Sequence, residues 1–438
     1  MTFASTRSPH ERVTFQEAVF RGLAPDGGLY HPVERPDLSR LFRELPAAAS
    51  FLTVAARLIA ALLPEIGDPA TLAARAFPFE PRLARATENI DILELFHGPS
   101  SAFKDFGASF LATVMEEFLR DEKQRAVVLT ATSGDTGSAV ARAFYGKRNI
   151  SVVVLYPSGR VSPLQEKQLT TLSGNITALE VKGSFDDCQR MVKEAFVDPD
   201  LSARLTLTSA NSINLGRLLP QSFYYVWAWS RLRDRRPSFC VPSGNFGNLT
   251  AGLLAWQWGL PVGRFIAATN RNDVVPEYLK TSRFQPRTSV LTYSNAMDVG
   301  NPSNFERLLA IFEGSWEKMR EMVAEEVVTD EETVATIKRV HESLGLILDP
   351  HTAVGYLAAE RYLARPQAHR AADPARPVHV VTLATAHPGK FLEIVEETIG
   401  VRPPLPQGLA ELMSRPKEST VIGTSLRELS QLLLAKFS

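Results

Sequence analysis

From about residue 90 onward the chain alternates short β-branched runs with helical stretches, and this alternation restricts its fold more than any other feature. AVVLTAT precedes SAVARAFYG, ISVVVLY precedes SPLQEKQLTTL, ITALEV precedes DDCQRMVKEAF, and LTLTSA precedes INLGRLLPQSFYYVWAW. Repeated strand-then-helix units predict parallel sheets wrapped by helices. A second series follows with SFCVPSG, LTAGLLAWQWG, RFIAATN, VHVVTLATA and KFLEIVEETIG. Two α/β units in tandem place a ligand crevice between them or at the C-terminal ends of their strands. The intervening segments read as helices starting at Asn304, Thr329 and either Pro350 or Thr352.

Residues 15 to 90 have a different texture. FQEAVFRGL runs into the turn APDGG, followed by DLSRLFREL and the apolar FLTVAARLIAALLP, which predicts a separate, mostly helical N-terminal unit. After residue 401 the chain opens with PPLP and ends in a helical Leu pattern, read as a docked appendage. A length of 438 residues accommodates these parts as about three structural units, at roughly 150 residues per domain.

Charge excludes some functions. The 48 Lys+Arg balance 48 Asp+Glu, so no overall field gathers nucleic acid or an anionic membrane surface, and any anion must be held by local groups. The apolar stretch at 51 to 64 carries Arg57 and is too short to span a bilayer. MTFASTRSPHERV has no hydrophobic signal core, and Cys188 and Cys240 form no framework. The expected setting is cytoplasmic.

Three strand-to-helix junctions are rich in Gly, Ser, Asn and Thr: TATSGDTGSA at 130–139, VPSGNFGNLT at 241–250 and TLATAHPGKF at 382–391. Such residues also make ordinary turns and caps. Three in one α/β chain point instead to anion binding, since a helix N-terminus offers free N–H groups and glycine lets the backbone approach a phosphate or carboxylate. None carries GK[ST] or GxGxxG, so the anion is expected on a small phosphate ester rather than a nucleotide. No GxSxG elbow or HExxH helix occurs, and the 8 histidines are scattered, so no metal is expected. A fourth segment, FHGPSSAFKDFGASFLATVMEEFL, places Lys104 between Phe103 and Phe106 at the start of an amphipathic helix. In a closed, apolar site such an amine loses its proton more readily and becomes a nucleophile able to form a Schiff base. An aldehyde-bearing phosphate cofactor needs such a lysine and such a cradle.

The segments HGPSSAFKDFG, TATSGDTGSAVARAFYG, SPLQEKQ, NSINLGRLLPQ, VPSGNFGNLTAG, SNAMDVGNPSN and TAHPGKF resemble those of threonine synthases, with STR at 5–7 and LAPDGGLY at 23–30 resembling the long form's N-terminal domain. The resemblance runs in order from about residue 5 to 400. It implies a fold-type-II pyridoxal 5'-phosphate enzyme of tryptophan-synthase-β-like α/β architecture that converts O-phospho-L-homoserine and water to threonine and phosphate. The alternative is a phosphohomoserine lyase releasing 2-oxobutyrate and ammonia. Lys104 matches the lysine that joins the cofactor and later moves protons. Gly244, Asn245, Phe246, Gly247 and Asn248 match the loop around the cofactor phosphate, and Thr385 matches the hydroxyl facing the pyridine nitrogen. Ser133, Gly134 and Thr136 match the segment receiving the substrate carboxylate, with Asp135 near the cofactor ring oxygen, where many relatives carry Asn. Asn211, Ser212 and Arg217 match the substrate phosphate site. The implied division is an N-terminal domain at 1–91, a large cofactor lobe at 92–124 and 215–400, a small lobe at 125–214 and an extension at 401–438. A monomer or homodimer is expected, with no nucleic acid or membrane partner.

Overall fold

The computed structural model describes residues 1–120, 124–132, 134–366 and 377–437. Within them the strand–helix alternation forms two open sheets. The larger runs in the order Val323–Val327, Phe265–Thr269, Ser238–Pro242, Val380–Ala384, Ile90–Glu94 and Arg82–Arg85. All its neighbours are parallel except the last pair, which is antiparallel. The smaller sheet is wholly parallel, in the order Thr420–Ile422, Ile176–Val181, Ile150–Pro157, Ala126–Ala131 and Thr206–Thr208. The central strands are buried on both faces and read as continuous apolar runs, as parallel strands covered by helices must.

The predicted helix starts at Asn304 and Thr329 hold. Asn304 precedes the helix Phe305–Ile311, and Thr329 caps Asp330–Leu344 in a reciprocal arrangement with Glu332. For the next helix, Pro350 is the first residue, with the Asp349 carboxylate as its cap.

Two parts differ from the sequence reading. The N-terminal region is helical but also holds a three-stranded antiparallel sheet of Phe3–Ser5, Arg12–Val13 and Tyr30–Pro32. At its far end Arg82–Arg85 and Ile90–Glu94 belong to the large sheet, so the expected boundary at residue 91 falls inside a strand. The tail is no appendage: Thr420–Ile422 pairs with Leu179, Glu180 and Val181, and Leu429 and Leu433 of the helix Leu426–Phe437 enter the small lobe's core. A three-residue strand is too short for its periodicity to register in sequence.

The N-terminal region grips the helix Lys104–Phe118. Phe106 and Phe110, one turn apart, pack among Phe51, Phe77 and Phe79, with ring centroids 5.0 to 6.1 Å apart. Arg75 pairs with Glu116 at 2.9 Å and Glu117 at 2.6 Å near the other end of that helix. One face of the helix is thereby held by the N-terminal region.

Candidate active site

Three of the four chemically interesting segments leave the C-terminal ends of adjacent parallel strands. Ala384 lies opposite Glu94, and the register that pairs Cys240 with Thr382 brings Pro242 level with them. The loops after Glu94, Pro242 and Ala384 therefore emerge side by side. The first and third are also joined: Phe103 donates to the Thr385 carbonyl at 2.8 Å, and His387 N–H donates to the Ser101 carbonyl at 3.0 Å. This fastens Lys104 beside the turn Pro388–Phe391.

Lys104 heads its helix with its side chain 15% exposed, and its Nζ lies 3.7 Å from Asp135 Oδ2. Burial lowers the Lys104 pKa; Asp135 opposes this, Lys390 and Arg217 reinforce it, and the result is about 8. The carboxylate of Asp135 is held between two amines, since Lys390 Nζ stands 2.6 Å from Oδ1. Burial works against the Asp135 charge, but Lys390 and then Lys104 outweigh it and hold the carboxyl far below its ordinary range. Next to Lys104, Asp105 is buried and accepts from the Ser100 N–H at 2.9 Å. Burial pushes its carboxyl up to about 6 against that hydrogen bonding and the Lys390 charge.

Asp135 comes from the small sheet, at the end of Ala126–Ala131. Thr132 Oγ1 accepts from the Gly134 and Gly137 N–H groups, at 3.0 and 2.9 Å, and folds the loop over the helix start. At Gly134, φ is +149°, a backbone conformation that favours glycine, and an added Cβ would also press on the end of the Gln165 side chain at 2.5 Å. Thr136 is half-buried at the next position, and Ser133 lies outside the described residues.

The SGNFGN loop turns sharply at Phe246, φ +60°, into the helix Gly247–Gln257. Gly244 has no room for a side chain: a Cβ would sit 2.6 Å from Met297 Cα. Asn248 is used within the loop, donating to the Pro242 carbonyl and accepting from Ser243 Oγ and Leu249 N. Asn245 donates to Ser212 Oγ at 2.5 Å and accepts from Ser303 N at 2.6 Å. What this loop presents to an anion is thus backbone N–H at the helix start rather than asparagine side chains. Thr385 is buried at the neighbouring strand end.

Asn211 accepts from Thr130 Oγ1, and Ser212 joins the loop through Asn245, so the expected substrate-phosphate segment touches both sheets' loops. Arg217 is 2% exposed, donates from one terminal nitrogen to the Ala210 carbonyl at 2.7 Å and leaves Nε buried without a partner. Burial without a contacting carboxylate presses its pKa down to about 10, still a cation at neutral pH. A buried guanidinium in this condition is built to receive an anion.

Sequence reasoning missed four contributors. Gln165 donates to Asp135 Oδ1 at 3.0 Å and Gln168 donates to the Ser100 carbonyl at 3.2 Å, giving SPLQEKQ a role that its three-residue spacing on one helix face could have shown. Lys390 was visible only as one basic residue in TAHPGKF. Arg307 is buried and ties the Tyr30, Ser212 and Ile213 carbonyls to Asn304, joining the N-terminal sheet to the phosphate segment. The SNAMDVGNPSN stretch also acquires a function: Asp298 collects Asn270, Asn272 and Thr292, which sets Met297 against Gly244.

A reactive amine with little exposure, a glycine cradle too tight for a Cβ and a buried guanidinium whose Nε has no partner suit an anionic, aldehyde-bearing cofactor, so the residues fit pyridoxal phosphate. Fold and site together define a pyridoxal-phosphate dependent enzyme of fold type II. Residues 82–382 match the pyridoxal-phosphate dependent enzyme family, 2–73 the threonine synthase N terminus and 352–433 the threonine synthase C-terminal region. The chain is 42% identical to threonine synthase of Serratia marcescens over 440 residues and 41% identical to that of Escherichia coli over 442, covering 99% of each chain in both cases. The crystal structure of the E. coli enzyme superposes with a TM-score of 0.88 at 40% identity, covering 99% of this chain and 100% of that one. A pyridoxal-phosphate-bound threonine synthase from Brucella melitensis superposes at 0.90 with 36% identity, covering 99% and 98%. The chain belongs to the threonine synthase family. Maize serine racemase, at 17% identity and a TM-score of 0.54, shares the fold over 72% of this chain.

Proposed function

We propose that the protein converts O-phospho-L-homoserine and water to L-threonine and phosphate, with Lys104 as its catalytic amine. The observation that carries this reading is the buried Lys104 beside Asp135, with the unpaired Arg217 guanidinium close enough to lower its pKa.

Backbone N–H groups of Gly244, Asn245, Phe246, Gly247 and Asn248 would hold the cofactor phosphate, while Thr385 and Asp135 would contact its ring. When bound, pyridoxal phosphate supplies an electron sink that stabilises negative charge at the substrate Cα. The TSGDTG loop, through Ser133, Gly134 and Thr136, takes the substrate carboxylate. Arg217, with Asn211 and Ser212, takes the substrate phosphate and retains its charge as the bond to Cγ breaks. Neutral Lys104 Nζ removes the Cα proton and returns it as ammonium. A site lowered to about 8 suits both duties, because proton uptake and release are then nearly balanced at neutral pH.

The sheets support a division into a helical N-terminal unit, a large cofactor lobe and a small lobe that includes the tail strand. Among the described residues no helix is long and apolar enough to cross a membrane. A cytoplasmic monomer or homodimer acting on a small molecule, with neither nucleic acid nor membrane as partner, is the assembly we propose. Incubating purified protein with O-phosphohomoserine and quantifying phosphate, threonine and 2-oxobutyrate together tests the reaction. Threonine equal to phosphate supports it. Replacement of threonine by 2-oxobutyrate and ammonia makes the protein a lyase, and absence of phosphate release refutes both.

A further inference from the structure

We propose that Lys390 is a positioning residue for Lys104, acting through Asp135 as the fixed cation of the site, so that Lys104 is the lysine free to shed its proton and react. The two amines share one carboxylate but are not equivalent. Lys390 is fully buried, 2.6 Å from Asp135 Oδ1, and donates to the Ser100 carbonyl at 3.0 Å. Lys104 stands farther from Asp135, at 3.7 Å, and its side chain is partly exposed. Lys390 thus has two acceptors within 3.0 Å, whereas Lys104 has the weaker hold and gives up its proton more readily.

The surroundings of Lys104 act the same way. Facing it are Asp135 from the helix Asp135–Phe144, Lys390 from the turn Pro388–Phe391 and Arg217 from the helix Leu215–Leu218. On its own helix Asp105 is turned toward the Ser100 N–H, and the helix start adds partial positive charge. Three cations thus meet two carboxylates, and Lys104 is the one whose proton is disfavoured, with a pKa near 8. Without Lys390, Asp135 would be left with Lys104 as its nearest amine and would hold it as ammonium. Gln165 supports the arrangement by donating to the same Asp135 Oδ1 that Lys390 contacts, at 3.0 Å.

This inference rests on Lys104 being the reactive amine, and it is tested on the full chain. Cofactor-free protein is labelled competitively with acetic anhydride across pH, and the Lys104 peptide is quantified by mass spectrometry. Lys390→Met should raise the Lys104 midpoint by about 1–2 units, the scale of one neighbouring charge. Lys390→Arg should restore most of that shift, and adding Asp135→Asn to Lys390→Met should bring the midpoint back down. Lys390→Gln, which keeps a donor without the charge, should behave like Lys390→Met. An unmoved midpoint in folded Lys390→Met or Lys390→Gln, or a downward one, overturns the proposal. Borohydride reduction of holoenzyme separates the two failures. A cofactor adduct on another lysine removes the Lys104 reading, whereas an adduct on Lys104 with an unmoved titration removes only this inference.

Discussion

Gly107 gives a sharp test of how the Lys104 helix is seated. Gly107 lies one turn after Lys104, and an added Cβ would stand 2.6 Å from the Arg217 carbonyl oxygen, 3.3 Å from its carbon and 3.4 Å from its Cα. That is about 0.8 Å short of ordinary contact, against backbone that no rotamer change can move aside. The same carbonyl accepts from Gln221 Nε2 at 2.8 Å, so it is held in place. Helix propensity alone says Gly107→Ala should stabilise by about 1 kcal/mol. Overpacking opposes this by about 1–3 kcal/mol, so the net change is a loss of up to roughly 2 kcal/mol. Relief comes by separating the two helices, which moves Lys104 relative to Arg217, and a misplacement near 1 Å costs on the order of 100-fold in rate. Steady-state kcat/KM for O-phosphohomoserine and a thermal melt of the same sample measure both effects. A Gly107→Ala protein with a raised melting temperature and unchanged kcat/KM would refute the reasoning, because the close approach would then have no function.

Other outcomes follow from the same geometry. Lys104→Ala should abolish the borohydride-stable cofactor adduct on the peptide spanning residue 104, and mass spectrometry showing that adduct elsewhere with activity intact would displace Lys104. Arg217→Ala should reduce kcat/KM for O-phosphohomoserine by about 100-fold or more, the scale of truncating one partner of a buried charge pair, while leaving an analogue without phosphate nearly unaffected. Equal losses on both substrates would make Arg217 structural. Because only the neutral amine attacks and the Lys104 pKa is near 8, recombination of cofactor-free protein with pyridoxal phosphate should quicken about tenfold per pH unit below that value and then level off. A rate still climbing towards the ordinary lysine value of about 10.4 would show that the site does not perturb the amine.

Legibility in the sequence followed burial and distance along the chain. Strands such as ISVVVLYP and ITALEV were readable because both faces are covered, leaving a continuous apolar signature. Val323–Val327, VAEEV, was not, since at the sheet edge Glu325 is only partly covered and the buried Glu326 is paired with Arg365. Within the site, Lys104 and the glycine loops announced themselves through local pattern. The partnership of Lys390 with Asp135 did not, because it joins the turns of two different sheets and no local spacing reports it. For the same reason Arg307 looked like an ordinary helical arginine, although its contacts reach back to Tyr30.

The edge strand Thr420–Ile422 gives the protein a schedule. Its partner, Ile176–Val181, leaves the ribosome about 240 residues earlier, a wait of roughly 10–50 s at common synthesis rates. Throughout that interval the nascent small lobe presents an uncovered row of backbone donors and acceptors, the kind of edge that recruits stray strands. Lys417, which reaches Glu166 at 2.7 Å and Glu180 at 2.6 Å, arrives just ahead of the closing strand and marks its landing place. Folding yield, more than catalysis, is therefore where a premature stop near residue 415 should first be felt, through nascent chains lost to aggregation before the sheet is sealed.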